Sequence, residues 1–288
     1  MSSPKKTRSR KGAFTIVELM TVLSIIIILI SLVVPGLNRV RRYSRRVKQK
    51  NQFHGIDVAI EMFNSQFEEY PPSDGVDSSG TPLHYCGAMK LCEALMGQDL
   101  LGFNPRSQFN ATLEDGGGNS LYELSTQNQR VETYFDIENA NAYRLNEIYG
   151  TGNCVDFAEG LYVLCDVYTN VRGKGAASGD KIGMPILYYK ADTAGTVHDA
   201  NNPDNAANIY DYRDNQELVD LPKPWGDGQD HTMSTTSNSD HDIFLKMITN
   251  DKFGSAIKRP YKAKSYILLS AGYDGDYGTS DDIFNFEK

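Results

Sequence analysis

Residues 19–37 read LMTVLSIIIILISLVVPGL, a run almost wholly apolar. A bilayer core takes about 20 apolar residues as a helix, so this run is long enough to span once. No second run approaches that length. The sequence therefore predicts a bitopic chain with nearly all its mass on one side. A basic stretch before an apolar run also describes a secretory signal peptide. Against that, the run exceeds the usual signal core of about 7–15 residues. No small-x-small cleavage site follows it, and the amphipathic pattern continues beyond it.

Charge is segregated around the run. Residues 1–13 carry five basic groups (Lys5, Lys6, Arg8, Arg10, Lys11) and no acid. Residues 14–38 carry one charge, Glu18. Residues 39–50 carry seven basic groups (Arg39, Arg41, Arg42, Arg45, Arg46, Lys48, Lys50) and no acid. That leaves 17 basic against 36 acidic groups in residues 51–288, a net of −19. An acidic body excludes nucleic acid as a primary partner, since that needs a basic face. With 288 residues the chain can bury a sizeable core without disulfides or metal.

Beyond the run, apolar residues fall at Val40, Tyr43, Val47, Ile56, Ile60, Phe63 and Phe67, mostly three or four apart or multiples of that. Tyr70-Pro71-Pro72 then stops a helix. One helix from about residue 14 to about residue 69 is expected, apolar all round in its first half and amphipathic in its second. Glu18 is the anomaly. A carboxylate near the end of a spanning helix is costly unless paired, and is a functional candidate by default; close to the interface it would simply stay hydrated.

The string Lys11-Gly12-Ala13-Phe14-Thr15-Ile16-Val17-Glu18-Leu19 resembles the class III signal of type IV pilins and type II secretion pseudopilins. The resemblance implies cleavage by a prepilin peptidase between Ala13 and Phe14, methylation of the new amino group, and Glu18 as the fifth mature residue. It also puts Pro35 twenty-second, where the family often has a helix-kinking proline. The residue before the cut is usually Gly; here Ala13 takes that place. In such filaments the carboxylate is thought to meet the N-terminal amine of a neighbouring subunit. Removing one partner of such a pair is severe, so Glu18 would serve assembly. The positive-inside rule counts five basic residues before the span and seven after it, which on charge alone could make the body cytoplasmic. The resemblance requires a cytoplasmic leader and a periplasmic body. Residues 39–50 would then face lipid headgroups, acidic patches of neighbouring subunits, or solvent.

In the body, Ser73-Asp74-Gly75 and Ser78-Ser79-Gly80 read as loops. A helix is expected over about 84–100, a loop with short elements over 104–130, strands over 161–168, 186–189 and 265–270, and a short helix over 242–249. Residues 193–240 are polar and look like a long surface insertion. The fold expected is α+β: a long N-terminal helix on a small antiparallel sheet, with large loop and helix insertions. Cys86, Cys92, Cys154 and Cys165 permit two disulfides in an exported domain or could stay as buried thiols. Enzyme constellations are thin. The five histidines (His54, His84, His198, His231, His241) are scattered, with no motif tying them to a nucleophile or metal. Trp225, in Pro222-Lys223-Pro224-Trp225-Gly226, reads as a packed turn.

The C-terminal stretch Ser270-Ala271-Gly272-Tyr273-Asp274-Gly275-Asp276-Tyr277-Gly278-Thr279-Ser280-Asp281-Asp282 crowds four carboxylates and three glycines. Ca²⁺ wants six to eight oxygen ligands, and glycines allow the tight winding that aims carbonyls inward. A solvated acidic hairpin fits the composition equally. The stretch is similar to the calcium loop of the major type II pseudopilin. That resemblance implies Ca²⁺ held by Asp274, Asp281 and Asp282 with Ser270 and nearby carbonyls, and it makes Asp276 an outsider.

The expected organisation is a cleaved leader (1–13), a transmembrane half-helix (14–37), an amphipathic stem (38–70) and a periplasmic domain (71–288) with a calcium loop (267–283). The resemblance implies a non-enzymatic structural subunit of a type II secretion pseudopilus, single-pass in a bacterial inner membrane. Its partners would be copies of itself, prepilin peptidase, the assembly platform and minor pseudopilins. Alternatives are a type IV pilin for adhesion, motility or DNA uptake, a membrane-anchored periplasmic binding module, and a hydrolase with a pilin-like anchor.

Overall fold

The structure is a computed structural model. It describes residues 15–75, 83–154, 156–158, 160–168, 171–172, 181–226, 228–236, 241–253 and 258–287. The leader, Ala13 and Phe14 lie outside the described residues, as does the Ser78-Ser79-Gly80 loop. The chain divides into two units, residues 1–44 and 45–288.

Helix α1 runs over Ile16–Phe67, close to the expected limits. It stops because Pro71 and Pro72 cannot continue the amide ladder and disfavour helical backbone just before them. Glu68 already sits at φ +60°, in the left-handed region, while its N–H closes the last turn on the Asn64 carbonyl at 2.8 Å. Among the described side chains of the first unit, the apolar ones of α1 are exposed, Ile25 by 58% and Ile27 by 64%. Its most apolar window has a mean hydropathy of 2.8, so this helix is long and apolar enough to cross a membrane. That fits a single-pass membrane protein.

In the second unit the stem part of α1 buries Phe53, Ile56, Ala59, Ile60 and Phe63. These recur every three or four residues and so share one helix face. The expected stripe holds from Ile56 onward. Val40, Tyr43 and Val47 are exposed instead, and the buried seam begins with two amides, Gln49 and Gln52.

Helix α2 (Gly87–Met96), shorter than the expected 84–100, is buried along its length. Three short helices follow it through the body: α3 (Ile137–Ala140), α4 (Leu145–Tyr149) and α5 (Gln216–Val219). A fourth, α6 (Ile243–Met247), lies within the expected 242–249. Residues 104–130 are a loop carrying a 3₁₀ turn, Leu124–Gln129.

The strands are β1 (Ala142–Arg144), β2 (Tyr162–Leu164), β3 (Val171–Arg172), β4 (Lys181–Ile182), β5 (Leu187–Lys190), β6 (Tyr266–Ser270) and β7 (Ile283–Phe284). These strands pair antiparallel: β1 with β2, β3 with β4, and a sheet in the order β5-β6-β7. The fold is α+β, as expected. β6 is buried at every residue, Tyr-Ile-Leu-Leu-Ser, so both faces of this sheet are covered. Tyr188, Tyr266 and Leu268 join the stem and α2 in one core cluster. Leu187, Tyr189, Ile267 and Leu269 point into a second.

The second core corrects one expectation. Residues 193–240 are not merely a surface insertion. They send Ile209, Tyr210, Tyr212, Leu218, Val219 and Met233 into the second core, beside Phe244 and Leu245 of α6. A three-stranded sheet with two apolar faces needs that cover, and a polar-looking segment supplies it with a few large side chains.

Candidate functional site

At the head of α1, Glu18 closes a local capping box. The Thr15 N–H and hydroxyl both donate to Glu18 Oε2 at 2.9 Å, and the Glu18 N–H donates to Thr15 Oγ1 at 3.2 Å. Thr-x-x-Glu ahead of an apolar run is the sequence signature of this cap. Locally Glu18 is a helix cap, and an exposed one. Among the described residues, Glu18 Oε1 accepts no hydrogen bond.

The C-terminal acidic stretch closes the edge of the main sheet. β6 ends at Ser270 and β7 begins at Ile283, and these two residues pair directly. The twelve residues between them, 271–282, form the return loop. Its winding depends on glycine. Gly272 lies at φ +68°, and a Cβ there would stand 2.3 Å from the Asp281 carbonyl oxygen. Only a residue without a side chain lets these two parts of the loop touch. Gly275 (φ +74°) turns beneath the ring of Trp225, which a Cβ would meet at 2.9 Å. Trp225 packs its ring edge on the loop but stays 40% exposed, so the packed-turn reading holds only in part.

Asp274 and Asp281 face each other across the loop. Asp281 Oδ2 accepts from the Tyr273 N–H at 2.7 Å and the Asp274 N–H at 3.0 Å. The Thr279 hydroxyl is shared between Asp281 Oδ1 at 2.7 Å and Asp274 Oδ2 at 3.0 Å. Burial and then the Asp281 carboxyl push Asp274 up. Burial works the same way on Asp281, but the Thr279 hydroxyl, Asp274 and the two amides hold it below the usual range.

Asp282 is the least balanced group. Its Oδ2 accepts the Gly278 N–H at 2.8 Å, while its Oδ1 is fully enclosed with no hydrogen-bond partner. The residue as a whole is only partly covered, so it is this one atom that is sealed. Burial, then the charges of Asp281, Asp274 and Asp276, push the Asp282 carboxyl well above the usual range, against the pull of Gly278. Asp282 also lines a cavity of about 280 Å³ with Arg46, Lys50 and Glu287.

Asp276 is occupied elsewhere. It accepts from Lys223 Nζ at 2.7 Å, from Thr232 N–H at 2.9 Å and Thr232 Oγ1 at 3.0 Å, and faces His231 Nδ1 at 3.2 Å. Burial alone would raise its pKa; these partners outweigh that and hold its carboxyl well below the usual range. Ser270 does not turn its hydroxyl to the three aspartates. That hydroxyl donates to Asp166 Oδ2 at 2.8 Å and accepts from the Gly272 N–H at 3.2 Å. The structure therefore gathers Asp274, Asp281 and Asp282 around one loop and leaves Asp276 and the Ser270 side chain with other partners. Among the described residues, no three His, Cys, Asp or Glu side chains are assembled as a metal site.

Asp166 is the buried group the sequence did not expose. Its Oδ1 accepts from the Tyr168 N–H at 3.0 Å and the Met184 N–H at 3.2 Å. The segment around it holds the stem. Gln52 Nε2 donates to the Cys165 carbonyl at 2.9 Å, and the Val167 N–H donates to Gln49 Oε1 at 2.9 Å. Only the Tyr168 N–H is close to Asp166 in sequence; its other two partners come from residues 184 and 270.

The four cysteines are buried and none forms a disulfide. Burial pushes the Cys86 thiol up to about 11 and the Cys92 and Cys165 thiols higher still. Compared with known proteins, the chain matches no family model, no curated protein and no solved structure. The pilin resemblance accordingly rests on the two short motifs at either end.

Proposed function

We propose that the chain is a processed, membrane-anchored filament subunit of the pseudopilin kind, built for type II protein secretion. The observation that carries this reading is helix α1. A single helix, Ile16–Phe67, begins as an exposed apolar rod headed by Thr15 and Glu18, and ends as a stem whose inner face packs on a small antiparallel sheet. Such a rod gives a subunit something to share with its neighbours inside a lipid or protein bundle. The stem packs on the displayed body. Assembly of this type needs no catalytic residue in the subunit itself.

In this reading prepilin peptidase cuts between Ala13 and Phe14, and Phe14 becomes the methylated N-terminus. The amine of one copy then meets Glu18 of another in the low-dielectric bundle, where the pair fixes axial register. Minor pseudopilins and an inner-membrane platform complete the assembly, and the body lies on the periplasmic side. Calcium belongs to the same reading. Asp274, Asp281 and Asp282 would hold it, and the enclosed Asp282 Oδ1 is the oxygen that most needs a cation. A hard cation there would offset the burial, and after it the mutual repulsion, that raise Asp274 and Asp282.

The test is the mass of the mature N-terminal peptide from cells that carry a prepilin peptidase. The expected peptide begins at Phe14 and is heavier by one methyl group. An intact leader, or a cut after the apolar run, removes the pilin assignment.

A second reading, a membrane-anchored binding module or a type IV pilin with a displayed body, is favoured by two open clefts. They measure about 500 and 850 Å³ and share Asp74, Asp211 and Asp214. Burial pushes the Asp214 carboxyl up to about 8, with the Ser73 hydroxyl bonded to it. Saturable binding of a glycan or peptide by the chain would favour this reading.

A further inference from the structure

The step from the apolar rod to the body is made of arginine. Arg39, Arg41 and Arg42 follow the apolar run directly, and all three are exposed on α1. Val40 and Tyr43, exposed by 64% and 71%, lie among them. No acid occurs anywhere in residues 39–50. An exposed helix turn of this composition suits a surface that is negative outside and apolar within.

Distance decides where that turn sits. The apolar residues 19–37 rise 1.5 Å each, about 28 Å in all, which matches a hydrocarbon core of about 30 Å. The headgroup layer adds roughly 5–7 Å on each side. Arg39, Arg41 and Arg42 lie about 3–8 Å beyond Leu37 along the axis, within that layer. Their long stems can lie along the helix while the guanidinium groups reach phosphate oxygens, which match the arginine fork. Val40 and the ring of Tyr43 suit the apolar margin of the same layer.

We infer that Arg39, Arg41 and Arg42 form a binding surface for anionic phospholipid headgroups at the membrane face on the body's side. The surface selects anionic over zwitterionic lipid around the span. This rests on the span alone and not on filament assembly. The alternative occupant, an acidic face of a second copy, is an outcome of the test.

The experiment uses the full chain in vesicles of mixed phosphatidylcholine and phosphatidylglycerol, each lipid carrying a spin label in turn. The fraction of each label slowed by the protein is read by electron paramagnetic resonance. Wild type is expected to slow phosphatidylglycerol severalfold more than phosphatidylcholine, with an upper bound of about fivefold per arginine. The preference should shrink at high salt. It should vanish in the triple variant Arg39→Gln, Arg41→Gln, Arg42→Gln and survive in the corresponding triple Lys variant. Equal slowing of both lipids by wild type overturns the inference, as does a preference the Gln variant keeps. A Gln variant that keeps the preference but loses self-association assigns the arginines to a second copy. If neither lipid is slowed, the span itself is wrong and the inference falls with it.

Discussion

Replacing Asp166 with Asn tests how the sheet and the stem are joined. Asp166 is buried, and among the described residues no cation pairs with it. Burial pushes its carboxyl from 3.8 up to about 7, against the pull of the Ser270 hydroxyl and two backbone N–H groups. The folded pKa is raised, so the native state holds its proton more tightly than the unfolded chain does. Below about pH 4 both states are protonated and the group costs nothing. As pH rises from about 4 through about 7, unfolding releases a proton and stability falls. Three units at 1.36 kcal/mol each make the loss about 4 kcal/mol. Asn carries no charge, so it escapes this loss. Its carbonyl oxygen can take the Tyr168 and Met184 N–H groups, and its amide can donate to Ser270 Oγ. The Ser270 proton then needs a new acceptor, at a cost of about 1 kcal/mol. Urea unfolding of the full chain in detergent, followed by the lone Trp225, should therefore give crossing profiles. Asp166→Asn should be slightly weaker than wild type near pH 4 and stronger by about 3 kcal/mol at pH 8. Asp214 and Asp282 also lose stability as pH rises, but they are present in both proteins and cancel in the difference. Parallel profiles would show that Asp166 does not carry the buried charge assigned to it.

Glu18→Gln keeps a capping box, since Gln serves at that position as Glu does. The variant should insert normally yet fail to form filaments in sheared-cell fractions, and normal filaments would remove the charge from the register. Calcium should raise the melting temperature of the chain relative to chelator, with about 2.7 kcal/mol of stabilisation at a hundredfold excess over its dissociation constant. Asp281→Ala should abolish most of that difference. Asp276→Ala should lower melting with and without calcium while keeping the gap, because it breaks the Lys223 and His231 contacts instead. Maleimide at pH 8 should leave the native cysteines unlabelled and modify four per chain in urea; rapid native labelling would contradict their burial.

The long helix was legible because two strong local signals bracket it, an apolar run and a double proline. So was the location of the acidic loop, because glycine and aspartate crowd there within a few residues. What stayed hidden were the particular contacts by which distant parts of the chain meet. Gln49 and Gln52 break the apolar stripe in sequence, yet they are the buried residues that receive segment 165–167. Tyr210, Leu218 and Val219 sit in a polar stretch whose composition says surface. Their burial follows from the second face of β5 and β6, which periodicity in 193–240 does not reveal. Glu18 stands out as an anomaly in an apolar helix, and the Thr15 that caps with it stands in the same motif.

The acidic loop and the stem are linked by one short path. Ser270 ends β6 and touches both Gly272, where the loop begins, and Asp166. Asp166 in turn lies between Cys165 and Val167, whose backbone groups bond Gln52 and Gln49 of the stem. Each contact is a hydrogen bond to a buried group, and losing one partner leaves the other without water to replace it, at about 1–3 kcal/mol. A shift at the start of the loop is therefore resisted by the same atoms that seat the helix. The burial and crowding of carboxylates that raise Asp274 and Asp282 act on the far end of this path, not its middle. A cation in the loop should accordingly slow amide exchange at Val167 and along residues 49–56, well away from the carboxylates. If exchange slows only within residues 271–282, the loop and the stem are independent and the path is no more than proximity.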